Sequence, residues 1–302
     1  MSTQTTTFRE QHVAVMGTTA HIVVVDGGRR LVSAAVDRLR DLEQRWSRFL
    51  PGSETSRLNR HAGAPQQVSA ETALLVGLAQ EGWRRTAGRY DPTLLHALRA
   101  TGYTDGVPDR PMAHVAVVPP PAHEPQLCGQ IVLDPSAGTV CMPASAGFDP
   151  GGIGKGLAAD LVTADLVATG VAGACVNVGG DLRVWGRGPR DGRWRIAMPA
   201  WEDRVVALHA GAVATSGVTH RTWTVAGRLY HHVIDPATLL PSDTGTVGAT
   251  VVARAAWLAE VYALAALLTT PPEALGDLRR WGVEGCIVEA GGRTWATPRL
   301  TA

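Results

Sequence analysis

Residues 12–26 read HVAVMGTTAHIVVVD, two short β-branched runs around Gly17, and this pattern predicts a hairpin. Helical spacing takes over at residues 30–49, where Leu31, Ala34, Ala35, Leu39, Leu42 and Trp46 fall on one face. The stretch PGSETSRLN that follows reads as a loop. Residues 69–87 predict a second helix, with Ser69 as N-cap and Leu74, Leu75, Leu78 and Trp83 apolar. Residues 101–127 are rich in Gly and Pro and read as a long connection. Two short strands are predicted near 130–133 and 138–142. A helix over 152–169 follows a Gly-rich turn.

Strands then cluster at 173–178, 181–187, 193–198, 204–208, 211–215 and 229–234, with another at 246–253. Helices are predicted over 255–270 and 272–281, and CIVEA-GG-RTWAT closes the chain as a hairpin turning at Gly-Gly. Strands and helices mix without strict βαβ alternation. This predicts an α+β fold with two intertwined halves.

Composition narrows the function classes. Of 302 residues, 45% are hydrophobic and 18% charged, which excludes a disordered chain. The net charge of +1 argues against a nucleic-acid binder or a polybasic membrane-surface protein. The four cysteines form no CxxC, so neither a disulfide framework nor a zinc site is expected. The first residues carry no signal-peptide pattern, lipidation cysteine or long apolar run, and the expected location is the cytoplasm. All but one of the basic residues are arginine. The exception, Lys155, stands inside the most Gly-rich motif, DPGGIGKG (149–156).

That motif runs from a strand-like approach through a Gly-rich turn into a helix. Backbone N–H groups at such a helix start favour phosphate, and Lys155 adds a compact positive charge. Gly156 follows the lysine where a Walker A loop needs Ser or Thr, so that loop is excluded. Other motifs are NVGGD (177–181), ATSG (214–217), YHHVIDP (230–236) and Ala259-Glu260 opening an Ala/Leu helix. A His near a carboxylate can serve as general base. Taken singly, a tight turn, a β-hairpin and a surface carboxylate explain most of these equally well.

Their order adds information. MGTT (16–19), WSRFLPGSETSRLN (46–59), RYDPT (89–93), DPGGIGKG, VNVGGD (176–181), ATSG, HHVIDP (231–236) and VGATVVA...AE (247–260) resemble, in sequence order, the ApbE family of FAD:protein FMN transferases. The resemblance implies a single transferase domain over 12–297 after a short tail (1–11), with a cofactor cleft between the two halves. It implies that FAD binds there with Mg2+ on its pyrophosphate. A Thr hydroxyl of an acceptor protein would then attack the FMN phosphorus, and AMP would leave. FAD hydrolysis to FMN and AMP, or FAD binding without transfer, are the alternatives.

Carried over residue by residue, the resemblance puts Met16, Phe49, Tyr90, Asp91, Thr93, Asp149, Lys155, His232 and Ile234 at the cofactor. It makes His232 the general base, assisted by a carboxylate, with Asp149 the catalytic partner. The Gly152 carbonyl and Glu260 would hold the metal. Two positions depart from the family pattern. Glu260 and Leu264 stand where A-D-x-x-x-T supplies Asp and Thr, and Leu264 cannot ligate. Leu239 stands where the P-x-T-G-x-P segment has Gly, so a different turn is expected there.

Overall fold

The computed structural model describes residues 7–104, 127–198, 201, 204–225 and 227–301. The chain opens with strands β1 (Phe8–Val15) and β2 (Thr18–Val25) and helices α1 (Arg29–Trp46) and α2 (Glu54–Arg60). The short strand β3 (Gln66–Gln67) and helices α3 (Ala70–Arg85) and α4 (Leu95–Ala100) follow. Strands β4 (Val132–Asp134) and β5 (Thr139–Cys141) precede helix α5 (Gly154–Ala168). Then come β6 (Gly173–Val178), β7 (Asp181–Gly186), β8 (Trp194–Ala197), β9 (Val205–Leu208), β10 (Gly211–Gly217), β11 (Thr222–Val225), β12 (Arg228–His231) and β13 (Thr246–Ala253). Helices α6 (Ala256–Ala266) and α7 (Pro271–Arg280), strands β14 (Glu284–Glu289) and β15 (Thr294–Ala296) and the last turn α8 (Pro298–Thr301) close it.

Eight strands form one sheet in the order β1-β2-β6-β7-β10-β13-β14-β15, every neighbouring pair antiparallel. The fold is α+β, as expected. Side chains alternate between its faces. Ala20, Ile22 and Val24 of β2 join the large core with the buried faces of α1, α5 and α6. Val23 and Val25 point the other way, into a smaller core shared with Leu182, Val184 and Trp194 and lined by the β8–β9 hairpin. On β7 this leaves Asp181 and Arg183 facing the helices. A third core joins Leu94, Ala97, Leu98 and Tyr103 to Trp223, Val225, Tyr230 and Ile234.

Helix α1 buries Val32, Ala35, Val36, Leu39, Leu42 and Trp46, so the expected face holds at Ala35, Leu39, Leu42 and Trp46, while Leu31 is half-buried and Ala34 exposed. Helix α6 is buried nearly all round, which its Ala/Leu composition permits. Three expectations need correction. Strand β1 begins at Phe8, so residues 8–11 are not a tail: Phe8 pairs with Val25 and Gln11 with Ile22. The expected loop after α1 contains α2, started by the Ser53 hydroxyl accepting from the Ser56 N–H at 3.0 Å. Strand β11 was not expected. It pairs with β12, and the Trp223 indole donates to the Thr101 carbonyl at 2.7 Å. Of the long connection expected over 101–127, residues 105–126 lie outside the described residues. Among the described residues no helix is long and apolar enough to cross a membrane.

Candidate active site

Two tight hairpins meet at one end of the sheet. Met16 and Gly17 (φ 54° and 66°) join β1 to β2, and Gly179 and Gly180 (φ 64° and 99°) join β6 to β7. Positive φ at both central residues matches the twist of antiparallel strands, and glycine tolerates it without steric cost. Met16 does not, and its amide is held by the Glu43 carboxylate of α1 at 2.6 Å. The two turns abut: a Cβ on Gly179 would fall 2.6 Å from the Thr18 hydroxyl. The second turn delivers Asp181 at the start of β7.

The Gly-rich segment lies over the helix face of the sheet. The Asp149 amide donates to the Pro92 carbonyl at 2.8 Å, and its carboxylate accepts from the Gly151 N–H at 2.9 Å. A short turn, Pro150–Gly152, then leads into α5. Lys155 is on the first turn of α5 and points its ammonium at two carboxylates, Asp181 of β7 and Glu260 of α6. The other Glu260 oxygen accepts from the Gly156 N–H at 2.8 Å. Helices α5 and α6 touch backbone to backbone here, since a Cβ on Gly156 would be 2.4 Å from the Ala256 carbonyl oxygen. Asp160, one turn on, accepts from the Ala256 and Trp257 N–H groups at 2.9 and 3.0 Å and so caps α6 from its neighbour.

Electrostatics follow from this packing. Burial opposes the Lys155 charge, but Asp181 and then Glu260 outweigh it and hold its pKa above the ordinary range. Burial raises the pKa of Glu260, more than Lys155 lowers it. Asp181 keeps one buried oxygen that has no partner among the described residues. Tyr90 is buried against Gly152, and its hydroxyl has no partner among the described residues. Burial, with the charges of Glu260, Asp149 and Asp91 nearby, raises its pKa well above the ordinary value. Asp91 accepts from both the amide and the hydroxyl of Thr93.

His231 ends β12, His232 follows it, and the two part company. His231 bonds the Ser242 carbonyl at 3.0 Å. The Nδ1 of His232 is buried and finds no partner among the described residues. Burial first, then the charges of Arg221, His231 and Lys155, push its pKa down to about 3, so the ring is neutral at pH 7.

On the other side of Asp149 stands an arginine that sequence reasoning missed. Arg48 pairs with the Asp149 carboxylate at 3.3 Å. Its guanidinium lies 4.1 Å from the Phe49 ring centre and 4.8 Å from that of Tyr103, which stacks on Trp223 at 5.2 Å. Phe49 remains half exposed, and one buried Arg48 nitrogen has no partner among the described residues.

Tyr90, Asp149, Gly152, Lys155, Glu260 and His232 therefore converge. Asp149 and Lys155 do not pair with each other: one takes Arg48, the other Asp181 and Glu260. Ile234 is buried in the small core with Tyr103 and Trp223. Met16 is linked to the centre through the abutting turns. Asp181 was legible only as a turn residue, although a buried lysine requires a counter-ion.

The donor set expected for magnesium does not fit it. Both Glu260 oxygens are engaged. A Cβ on Gly152 would be 2.5 Å from a Leu264 methyl, so hydrocarbon fills the space beside that glycine. Among the described residues no three His, Cys, Asp or Glu side chains form a group able to hold a metal ion.

Comparison with known proteins agrees with this architecture. The chain is 29% identical over 273 residues to the FAD:protein FMN transferase of Rhodobacter capsulatus, covering 87% of this chain and 51% of that one. It is 29% identical over 262 residues to the Vibrio cholerae protein of the same name, covering 81% and 76%. The chain spans about half the length of the Rhodobacter capsulatus and Escherichia coli relatives it matches. The crystal structure of the ApbE protein of Thermotoga maritima superposes with a TM-score of 0.82 at 25% identity, covering 98% of each chain. The apo flavinyl transferase ApbE of Pseudomonas stutzeri shares the fold at a TM-score of 0.82 and 24% identity, covering 100% and 99%. The family model described as ApbE matches residues 16–287, and the chain belongs to the ApbE family.

Proposed function

We propose that this chain is an FAD:protein FMN transferase, moving the FMN part of FAD onto a Thr hydroxyl of an acceptor protein and releasing AMP. The observation that carries this is the neutral, buried His232, whose Nδ1 is unpartnered and which lies within the field of Lys155. A threonine hydroxyl is a weak nucleophile and needs a base that is unprotonated at pH 7. The Thr Oγ–P bond forms as the P–O bond to the AMP phosphate breaks. The hydroxyl proton goes to His232, and the electron pair leaves with AMP. Loss of solvent and nearby cations hold the ring neutral, and a bound pyrophosphate offsets part of that positive field.

The remaining residues suit an extended anionic substrate. Lys155 commits two of its three N–H donors to carboxylates, leaving one for a phosphate oxygen. The unpartnered Arg48 nitrogen and Tyr90 hydroxyl are further donors. Phe49, half exposed beside Arg48, offers a ring face for a planar group. Met16, Asp91, Thr93 and Ile234 complete the expected lining, and Asp149 orients the Gly-rich turn. No step runs through a metal, because the donor set does not fit one. We take residues 12–297, extended back to Phe8 by β1, as one transferase domain. Its four free cysteines suit the reducing cytoplasm.

The test is chromatography of FAD incubated with the protein, with and without an acceptor domain bearing an accessible Thr. AMP release with flavin retained on the acceptor is expected. FMN and AMP released without acceptor would make the chain a hydrolase, and intact FAD co-purifying with it would make it a binding module. Replacing Lys155 with Ala should weaken FAD binding by about tenfold or more.

A further inference from the structure

We infer that Lys155 itself supplies the cation of this centre, so that FAD is bound and used without a divalent metal. This rests on the transferase reading above. Two carboxylates on different elements, Asp181 on β7 and Glu260 on α6, close on one ammonium. A divalent ion between them would have to displace both that ammonium and the Gly156 amide, which holds the second Glu260 oxygen at 2.8 Å.

The surroundings reinforce the point. Magnesium needs near-octahedral oxygen ligands and keeps several of its waters. Here the position beside Gly152 is covered by the Leu264 side chain, one helical turn beyond Glu260. Of the four carboxylate oxygens of Asp181 and Glu260, one, on Asp181, finds no partner among the described residues, too few for a magnesium site. The extra methylene of Glu260 over an aspartate carries its carboxylate from α6 to the ammonium. Glu260 and Leu264 thus act together: the first completes an ion pair with lysine, the second closes the space that metal-bound waters would need. The ammonium takes over the electrostatic task with one N–H still free for a phosphate oxygen.

The experiment uses the whole purified chain. FAD affinity is measured by flavin fluorescence in EDTA and again in excess MgCl2. Mn2+ binding to the same protein is followed by electron paramagnetic resonance. Equal FAD affinity in the two buffers, within about twofold, and no stoichiometric Mn2+ binding are expected. FAD affinity about tenfold weaker in EDTA, or one tightly held Mn2+ per chain, overturns the inference and leaves the transferase reading standing. No FAD binding in either buffer overturns both. As a positive control, Glu260→Asp with Leu264→Thr should gain Mn2+ binding that the parent lacks. The parent measurements decide the matter even if that variant fails to fold.

Discussion

Gly156 and Gly154 are both on the first turn of α5, yet adding one methyl to each should have opposite effects. At Gly156 the new carbon would sit 2.4 Å from the Ala256 carbonyl oxygen, 2.5 Å from its carbon and 2.7 Å from the Trp257 nitrogen. These are backbone atoms and cannot swing aside, and Asp160 ties the two helices together at the same place. The helices must separate by about 1 Å, at the upper end of overpacking costs, about 3 kcal/mol. Better helix propensity returns at most about 1 kcal/mol, leaving Gly156→Ala destabilised by about 2 kcal/mol. At Gly154 the methyl meets only the Pro150 Cβ, at 3.6 Å, an ordinary contact. Gly154→Ala should therefore be neutral or more stable by up to about 1 kcal/mol. Urea denaturation of the two variants beside the parent measures this directly. Equal midpoints for both, or a larger loss at Gly154, would refute the close approach of α5 and α6.

Met16→Asn should stabilise the first hairpin by about 1 kcal/mol, because Asn accepts positive φ in a two-residue turn where Met does not; if Met16 lines the flavin site, the same variant binds FAD more weakly in a fluorescence titration. His232 has a depressed folded-state pKa, so its neutral form supports folding above the unfolded value of 6.5, and that support is lost as pH falls from 6.5 toward 3. The contribution amounts to as much as about 5 kcal/mol, and His232→Gln should flatten the acid limb of stability measured by denaturant titration across that window; an unchanged limb removes the buried imidazole as its source. Asp160→Ala strips the cap from α6 and should cost about 1–2 kcal/mol; an unshifted melting curve would mean the two amides find other acceptors.

Much of the sheet was legible because its strands are β-branched and their period is two. The α1 helix was legible because Ala35, Leu39, Leu42 and Trp46 recur at helical spacing, and its end at Trp46 differs from the expected 49 by less than a turn. Helix α2 was hidden because ETSRLNR is short and mostly polar, with only Ser53 to announce it. Strand β11 was hidden because TWTV is a four-residue run that acquires its partner only through the hairpin with β12. The site was legible where a residue type is rare, as with the single lysine. It was illegible where the role depends on which sheet face a residue occupies, as with Asp181, or on a long reach across the fold, as with Arg48 and Asp149. At Leu239 a different turn was expected because Gly is absent, yet the residue takes φ 59°, a conformation glycine favours.

The order of strands in the sheet carries a consequence for biosynthesis. The exposed edge of β2, with its run Ile22-Val23-Val24-Val25, pairs with β6, and residues 26–172 come between them. A ribosome adding ~5–20 residues per second leaves that edge unsatisfied for on the order of ten seconds. During that interval the hairpin is a template for any other β-prone segment nearby. The nascent chain is thus most vulnerable to self-association before Gly173–Val178 leaves the exit tunnel, and a holdase that shields one strand edge is the help it most needs.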